Sequence, residues 1–209
     1  MKRSIRIILA AAIIIIGTID AMAIEEATYT VVKKDNKFET RDYAPHTIVE
    51  TIVDGNFEEA GSKAFNSLFS YISGNNKSRD KVAMTAPVSQ EPMGEKIKMT
   101  APVGQQRALE RWAVSFMMPA SYTLETLPEP EDPKVMLRQV PALRVAAVRY
   151  SGFWSEKNYL RCKLELDSWI RERGLTIVGD PVWARYNPPF TPWSLRRNEI
   201  LIPIAAGTD

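Results

Sequence analysis

A motif that occurs twice organises the middle of this chain. The stretch Lys81-Val82-Ala83-Met84-Thr85-Ala86-Pro87-Val88 returns fifteen residues later as Lys96-Ile97-Lys98-Met99-Thr100-Ala101-Pro102-Val103. Alternation around each Met-Thr-Ala favours a strand, and proline is tolerated at the end or edge of a strand. Residues 90–95 contain a proline and a glycine and are typical of a connecting turn. We therefore expect the two copies to form an antiparallel hairpin.

The segments on either side of the repeat are arranged alike. Helices are predicted over about 57–73 and 156–173, because Asn56 and Ser155 can cap their first turns and a glycine follows each end. Residues 125–133, rich in proline and glutamate, should form an extended, solvated loop. Stretches rich in β-branched and aromatic residues predict further strands over 29–34, 38–41, 46–53, 112–118, 135–140, 143–150, 182–186 and 199–204.

The order of elements indicates the fold class. Strands, a long amphipathic helix and more strands occur once in each half of the chain, which predicts an α+β fold of two similar halves sharing one sheet. This many antiparallel strands rarely stay flat, so we expect the sheet to curl into a barrel with the two helices outside. Neither half is long enough to be a separate domain, and we expect one domain over residues 24–209.

The first 23 residues predict export. Three basic residues precede the unbroken apolar run 7–16, and Ala21-Met22-Ala23 follows, which is the order of a secretory signal peptide. The apolar run is shorter than the roughly 20 residues that span a bilayer. We expect cleavage after Ala23 and a periplasmic or secreted protein without stable membrane insertion; an uncleaved membrane anchor is the alternative.

Composition excludes several classes of site. The chain has one cysteine and one histidine, so it can form neither an intrachain disulfide nor a zinc site of His and Cys ligands. Removing residues 1–23 subtracts three from 27 basic residues and one from 25 acidic residues. The exported chain would then be formally neutral, and no global field favours nucleic acid. No phosphate-binding loop, dinucleotide fingerprint or nucleophile elbow is present.

Few side chains in the sequence suggest chemistry. His46 at a strand start could bind a metal or haem iron, but such a histidine is more often simply exposed. Cys162 falls on the apolar stripe of the second helix, which favours a buried, inert thiol. The threonines of the repeat, Thr85 and Thr100, suit strands better than nucleophilic catalysis. Its methionines, Met84 and Met99, could be thioether ligands but are more often core residues.

The first helix carries an apolar surface wider than one core-facing stripe. At 100° per residue, one face gathers residues Phe57, Gly61, Ala64, Leu68 and Ile72. Phe65 lies near the edge of that face, and Phe69 lies well off its centre. We expect these two rings to be only half covered by the protein's own core. A loop, a partner or a ligand must cover the rest.

Further rings lie near the last loop. Tyr186, Phe190 and Trp193 precede the final strand, and Arg196 and Arg197 follow them. Rings lining a groove with two arginines at its mouth would suit a flat amphipathic ligand that bears carboxylates. Alternatively, the rings simply cap the barrel, and composition alone leaves the two interpretations open.

Several separated motifs resemble the SOUL haem-binding protein family. Besides the two Met-Thr-Ala-Pro-Val copies, they are Phe38-Glu39-Thr40-Arg41-Asp42-Tyr43, Gly152-Phe153, Tyr186-Asn187-Pro188-Pro189 and Arg196-Arg197-Asn198-Glu199. The resemblance covers about residues 28–204. It implies a distorted antiparallel β-barrel of two pseudo-repeated halves flanked by two long helices. It also implies non-covalent binding of haem or other tetrapyrroles.

The resemblance also implies a place for the ligand. In animal members the porphyrin is proposed to lie between the first helix and the loop before the final strand, which here corresponds to Phe65, Phe69 and Tyr186. Some relatives have an axial histidine where this chain has Asp42, so no axial ligand is identified. Ser62, Ser70 and Thr191 stand where certain relatives have basic residues for the propionates.

These observations favour an exported, non-enzymatic binding protein for haem or a related tetrapyrrole. The expected contact residues are Phe65, Phe69, Tyr186, Phe190, Trp193, Arg196 and Arg197. Two alternatives stay open. One is an enzyme that modifies a bound tetrapyrrole, for which the sequence offers no convincing acid–base pair. The other is an interaction module that uses the same apolar surface, with an unknown protein partner.

Overall fold

The computed structural model describes residues 24–79 and 94–206. Within them lie the helices α1 (Phe57–Ile72) and α2 (Glu156–Glu172), and a short 3₁₀ turn at Trp193–Leu195. The strands are β1 (Tyr29–Asp35), β2 (Phe38–Tyr43), β3 (His46–Val53), β4 (Asn76–Lys77), β5 (Val103–Ala108), β6 (Arg111–Met117), β7 (Glu129–Pro130), β8 (Val135–Val140), β9 (Leu143–Tyr150), β10 (Val182–Arg185) and β11 (Asn198–Pro203).

Nine of these strands form one antiparallel sheet in the order β1-β2-β9-β11-β10-β5-β6-β3-β8, and β4 pairs separately with β7. The large sheet curls into a half-barrel whose edges are β1 and β8. The predicted α+β fold with two flanking helices is therefore confirmed, with the barrel open between its two edge strands.

The strand order shows the two halves expected from the sequence. In each half one strand of the large sheet lies directly before the helix and two paired strands follow it: β3, α1, β5 and β6 in the first, and β9, α2, β10 and β11 in the second. The strand that precedes these elements pairs with the other half: β2 pairs with β9, and β8 pairs with β3. Exchange of these strands joins the halves into one sheet, and β5 and β10 meet at its centre.

Both helices pack on the same face of the sheet. Each begins as predicted: the Asn56 side chain accepts a hydrogen bond from the Glu59 amide at 2.8 Å, and Ser155 caps α2. The predicted apolar stripes are buried in both helices. The Phe57 ring stacks on Trp183 with centroids 4.6 Å apart, which joins the start of α1 to the core under α2.

The predicted hairpin of the repeated motif was wrong for its second copy. Residues 96–102 contain no strand, and β5 begins only at Val103 and pairs with β6. The backbone amides of this copy bond to scattered partners, Ile97 to the Ile72 carbonyl and Ala101 to the Glu25 carbonyl, so no continuous ladder forms. The first copy, residues 81–88, and the predicted signal peptide, residues 1–23, lie outside the described residues.

The loop over residues 125–133 is less solvated than expected. The side chain of Leu127 is fully buried, and the Tyr71 hydroxyl donates to the Pro128 carbonyl oxygen at 2.9 Å. The pairing of β7 with β4 adds a second tie. The prolines prevent a helix but leave one leucine free to enter the core beneath α1.

Candidate functional site

A cavity of about 730 Å³ opens between α1 and the loop that joins β10 to β11. Helix α1 forms one wall and the loop forms the opposite one, while β10 lies at the inner end. Residues on its walls include Gly61, Ser62, Phe65, Met99, Val103, Trp154, Trp183, Arg185, Tyr186, Pro188, Pro189 and Phe190. Most of these side chains are apolar or aromatic, as is usual in sites for small organic ligands.

Two rings of α1 form a stacked pair at this cavity. Phe65 and Phe69 have centroids 5.5 Å apart and planes 11° from parallel. Phe65 is half-buried against Phe116 and lines the cavity, whereas Phe69 is 46% exposed. The half-covered edge of α1 that helical periodicity predicted is therefore present.

Tyr186 joins the cavity to a buried ionic cluster. Its hydroxyl donates to Glu199 at 3.0 Å, and Glu199 also accepts from Arg41 at 2.6 Å and from Arg197 at 2.9 Å. Burial opposes ionisation of Glu199, but the hydrogen bonds and charges of the two guanidiniums hold the pKa of its carboxyl below the usual value. Burial, together with the Glu199 charge, raises the pKa of Tyr186. Tyr186 is thus a neutral, fixed wall of the cavity.

The two arginines predicted at the mouth both hold the loop. Nη1 of Arg197 donates to both carboxylate oxygens of Glu26 at 2.8 and 2.9 Å, and the guanidinium lies 3.7 Å from the centroid of the Tyr186 ring. Arg196 donates to the carbonyl oxygens of Thr191 and Pro189 at 2.8 and 2.6 Å. Arg197 is therefore already neutralised by two carboxylates.

The other predicted rings lie apart from one another. Phe190 lines the cavity and is 85% exposed, so it stands at the rim. Trp193 stacks on Phe153 at 5.3 Å and does not line the cavity. The structure thus brings together Phe65, Tyr186 and Phe190 on one cavity with Phe69 beside them, and it places Trp193 outside.

Sequence reasoning missed Arg185 at the inner end of the cavity. Its guanidinium carbon lies 4.7 Å from the centroid of the Trp183 ring and 5.4 Å from that of Trp154. Among residues 24–79 and 94–206 no carboxylate lies within 4.0 Å of its nitrogens, and burial lowers the pKa of this arginine to about 10. The sequence did contain a signal for this position. Side chains two residues apart in a strand share one face of the sheet, so in β10 Arg185 lies on the same face as the buried Trp183.

The second copy of the repeated motif contributes Met99, Thr100, Ala101 and Val103 to the cavity wall. Met99 is 42% exposed and lines the cavity, so its assignment to the core was wrong. Thr100 is buried, and its hydroxyl donates to the Met117 carbonyl oxygen, as a structural role predicts. Met84 and Thr85 lie outside the described residues.

The remaining candidates lie away from this cavity. His46 lines a separate cavity of about 320 Å³ on the opposite face of the sheet, and its Nδ1 lies 3.0 Å from the Ala44 carbonyl oxygen. Asp42 forms a bidentate ion pair with Arg144 at 2.7 and 2.9 Å. Cys162 is buried, as predicted, and burial raises the pKa of its thiol.

Two negative observations apply to the described part of the chain. No three His, Cys, Asp or Glu side chains of residues 24–79 and 94–206 converge in a way that could hold a metal ion. In the same two segments, neither helix combines the length and the apolar character needed to cross a membrane.

Comparison with known proteins extends these observations. Heme-binding protein 1 of Xenopus tropicalis is 24% identical over 164 residues, which cover 78% of this chain and 81% of that protein. The crystal structure of the EcmrR C-terminal domain matches with a TM-score of 0.59 at 9% identity, covering 86% of this chain and 99% of that one. A hydrolase from Listeria innocua matches with a TM-score of 0.54 at 12% identity, covering 83% and 94%. Likeness at such low identity shows the fold alone.

The comparison with protein families is more specific. The model of the family described as SOUL heme-binding protein matches residues 24–203, which is almost all of the chain after the predicted signal peptide. The match includes both walls of the cavity, α1 and the loop before β11. The chain belongs to the SOUL heme-binding protein family.

Proposed function

We propose that this chain is an exported, non-enzymatic binding protein that holds haem or a related tetrapyrrole in the cavity between α1 and the loop before β11. The observation that carries the proposal is the stacked Phe65–Phe69 pair beside that cavity. Membership of the SOUL family and the name of the Xenopus relative support the class of ligand.

The dimensions and lining of the cavity support a flat apolar ligand. Its volume of about 730 Å³ falls within the range of about 300–1,000 Å³ found for small-molecule sites. Covering about 300 Å² of apolar surface would contribute about 7 kcal/mol at 25 cal/mol per Å². Association costs reduce this gain, so we expect micromolar or weaker binding.

Burial of the ring, and not coordination of iron, is the proposed driving force. The single histidine of the chain lines a different cavity, and Asp42, at the position where some relatives have an axial histidine, is paired with Arg144. We therefore expect iron-free protoporphyrin IX to bind about as tightly as haem.

A titration of both ligands tests the function and the site. Haem binding is followed by Soret absorbance and protoporphyrin IX binding by fluorescence, on the native protein and on Phe69→Asp. We expect at least a ten-fold loss of affinity in Phe69→Asp, because a carboxylate replaces the exposed ring. Leu164→Asp is the control, since Leu164 is a 66% exposed apolar residue of α2. Saturable binding that Phe69→Asp leaves unchanged argues against this site, and failure to bind either ligand argues against the function.

The absence of catalysis is part of the proposal. Two polar groups that line the cavity are engaged in structural bonds: Glu58 accepts from the Glu156 amide at 3.0 Å, and Tyr186 donates to Glu199. Haem incubated with the protein under turnover conditions should be recovered unchanged by chromatography. A new tetrapyrrole product, absent without protein, supports the enzymatic alternative.

Light scattering with and without haem tests the interaction module, which predicts self-association through the uncovered rings.

Export is likewise a proposal and depends on residues 1–23. Fractionation of cells that express the full chain should place it outside the cytoplasm. Intact-mass measurement of that material should match a chain that begins at Ile24. A full-length mass in the membrane fraction supports the uncleaved anchor instead.

A further inference from the structure

A half-buried cation lies at the inner end of the cavity. Arg185 ends β10 and lines the cavity together with Trp154 and Trp183. Its side chain crosses the sheet face beneath α1, where Gly61 leaves room for it: a Cβ at position 61 would lie 2.7 Å from both terminal nitrogens. The guanidinium is thus enclosed by the helix on one side and by two indole rings on others.

The protein satisfies this guanidinium only in part. Nη2 lies 3.4 Å from the side-chain oxygen of Gln105, at the long end of a hydrogen bond, and Nε is buried with no hydrogen-bond partner in the described residues. The amide nitrogen of Gln105 donates to the Phe57 carbonyl oxygen at 2.8 Å, so the same side chain makes a shorter bond to the backbone of α1. The indole rings attract the cation, but they accept no conventional hydrogen bond.

Arg185 differs in this respect from Arg41, Arg144 and Arg197. Arg41 and Arg197 contact carboxylates at 2.6 to 2.9 Å, and Arg144 is paired with Asp42. The acidic residue on the cavity wall, Glu58, is bonded to the Glu156 amide and makes no ion pair with Arg185. Burying an unpaired charge is costly, so a group is expected to neutralise Arg185 when the cavity is filled.

We propose that Arg185 binds a carboxylate of the ligand, so that the cavity takes a flat apolar molecule with an acidic group directed inward. This inference rests on the proposed function and names the ligand chemistry that the cavity selects. It replaces the expectation that arginines at the mouth bind the acid, because Arg197 is already paired with Glu26 and Glu199. A guanidinium can bind a carboxylate through two parallel hydrogen bonds, and exclusion of water strengthens them.

The test uses two matched fluorescent probes, 1-pyrenebutyrate and 1-pyrenebutanol, which share a flat aromatic body and differ in charge. We expect the native protein to bind the acid at least ten-fold more tightly than the alcohol. In Arg185→Gln the two affinities should lie within about two-fold of each other, through loss of acid binding. Arg107→Gln is the control, because Arg107 also lies over an indole ring, 4.8 Å from Trp112, but does not line the cavity.

Several results would overturn the assignment. Equal affinity of the acid and the alcohol for the native protein would overturn it. This comparison needs no variant, so it remains decisive even if Arg185→Gln does not fold. An acid preference that survives in Arg185→Gln but disappears in Arg196→Gln places the anion at the mouth instead. Failure of the native protein to bind the acid also overturns it.

The outcomes for the anion site and for tetrapyrrole binding can be separated. Protoporphyrin IX and its dimethyl ester are titrated into the native protein and Arg185→Gln. If the substitution leaves the porphyrin affinities unchanged and the native protein binds the two pyrenes equally, the proposed function stands and the anion site at Arg185 is contradicted. If pyrenebutyrate binding requires Arg185 but no porphyrin binds at all, the anion site is supported and tetrapyrrole binding is contradicted.

Discussion

Gly61 of α1 lies directly against the guanidinium of Arg185, and a methyl group at position 61 would come within 2.7 Å of both terminal nitrogens. A glycine inside a helix costs about 1 kcal/mol of stability relative to alanine. At position 61 this cost accompanies the room that the guanidinium occupies. The space is occupied by a charged side chain that is not needed to fill a hydrophobic core. The helix and the cation therefore depend on one another at the inner end of the cavity.

Gly61→Ala should consequently stabilise the protein by less than helix propensity alone predicts. The guanidinium at the end of the flexible Arg185 side chain has to move away from the new methyl group, which offsets part of the gain of about 1 kcal/mol. In the double variant Gly61→Ala/Arg185→Ala the clash is absent, and the effect of Gly61→Ala should reach the full gain of about 1 kcal/mol. Urea unfolding of the four proteins in the cycle measures the coupling. Strict additivity of the two changes would show that the contact has no energetic consequence.

Glu199→Gln should destabilise the fold by about 3 kcal/mol, because it leaves Arg41 and Arg197 near a buried neutral group. The Glu199 side chain is fully buried, so water cannot replace the lost interaction. Chemical unfolding followed by tryptophan fluorescence measures the loss. Glu59→Gln is the control: it removes an exposed pair with Lys63 on α1 and should not change the unfolding midpoint measurably.

The same carboxylate should make stability depend on acid pH. The pKa of Glu199 is lowered in the folded state, so its contribution is fully present above the unfolded value of about 4.3 and declines as pH falls below it. The difference in unfolding free energy between the native protein and Glu199→Gln should therefore be constant from about pH 5 to 7 and shrink in stronger acid. A difference that grows on acidification contradicts a lowered pKa.

Leu127→Ala should cost about 3 kcal/mol although Leu127 lies in a proline-rich loop, because its fully buried side chain leaves a cavity in the core under α1. Leu109, in the turn between β5 and β6, is 91% exposed and supplies the matched control. Leu109→Ala should change stability by less than about 0.5 kcal/mol. Equally small effects at both positions would indicate that residues 125–133 form the solvated loop expected from their composition.

Cys162 should react slowly with an aromatic disulfide reagent in the native protein. Its side chain is buried on the inner face of α2, and burial raises the pKa of the thiol, so little thiolate is present or accessible at pH 8. Absorbance of the released thiol should show a rate on the order of 100-fold lower than in denaturant. Equal rates in the two states would mean that α2 opens readily.

Local patterns predicted most elements of the fold. Both helices, their capping residues and their buried stripes follow from spacing along a few turns, and β-branched runs located most strands. Strand β5 was misplaced because its interior is polar: the buried amide of Gln105 is satisfied by the Phe57 carbonyl oxygen, which lies far away along the chain. Leu127 was missed because proline content says nothing about which side chain finds room in the core.

At the candidate site, too, local sequence patterns predicted some features and tertiary contacts decided others. Sequence periodicity alone determined that Phe65 and Phe69 stand at the edge of the buried stripe, since a helix fixes the angle between its own residues. Only the tertiary structure decided which charges are paired. Arg197 meets Glu26, far away along the chain, whereas Arg185, twelve positions before it, meets no carboxylate among the described residues. Ion pairing depends on distances between elements that lie far apart along the chain, and spacing within one element does not fix those distances.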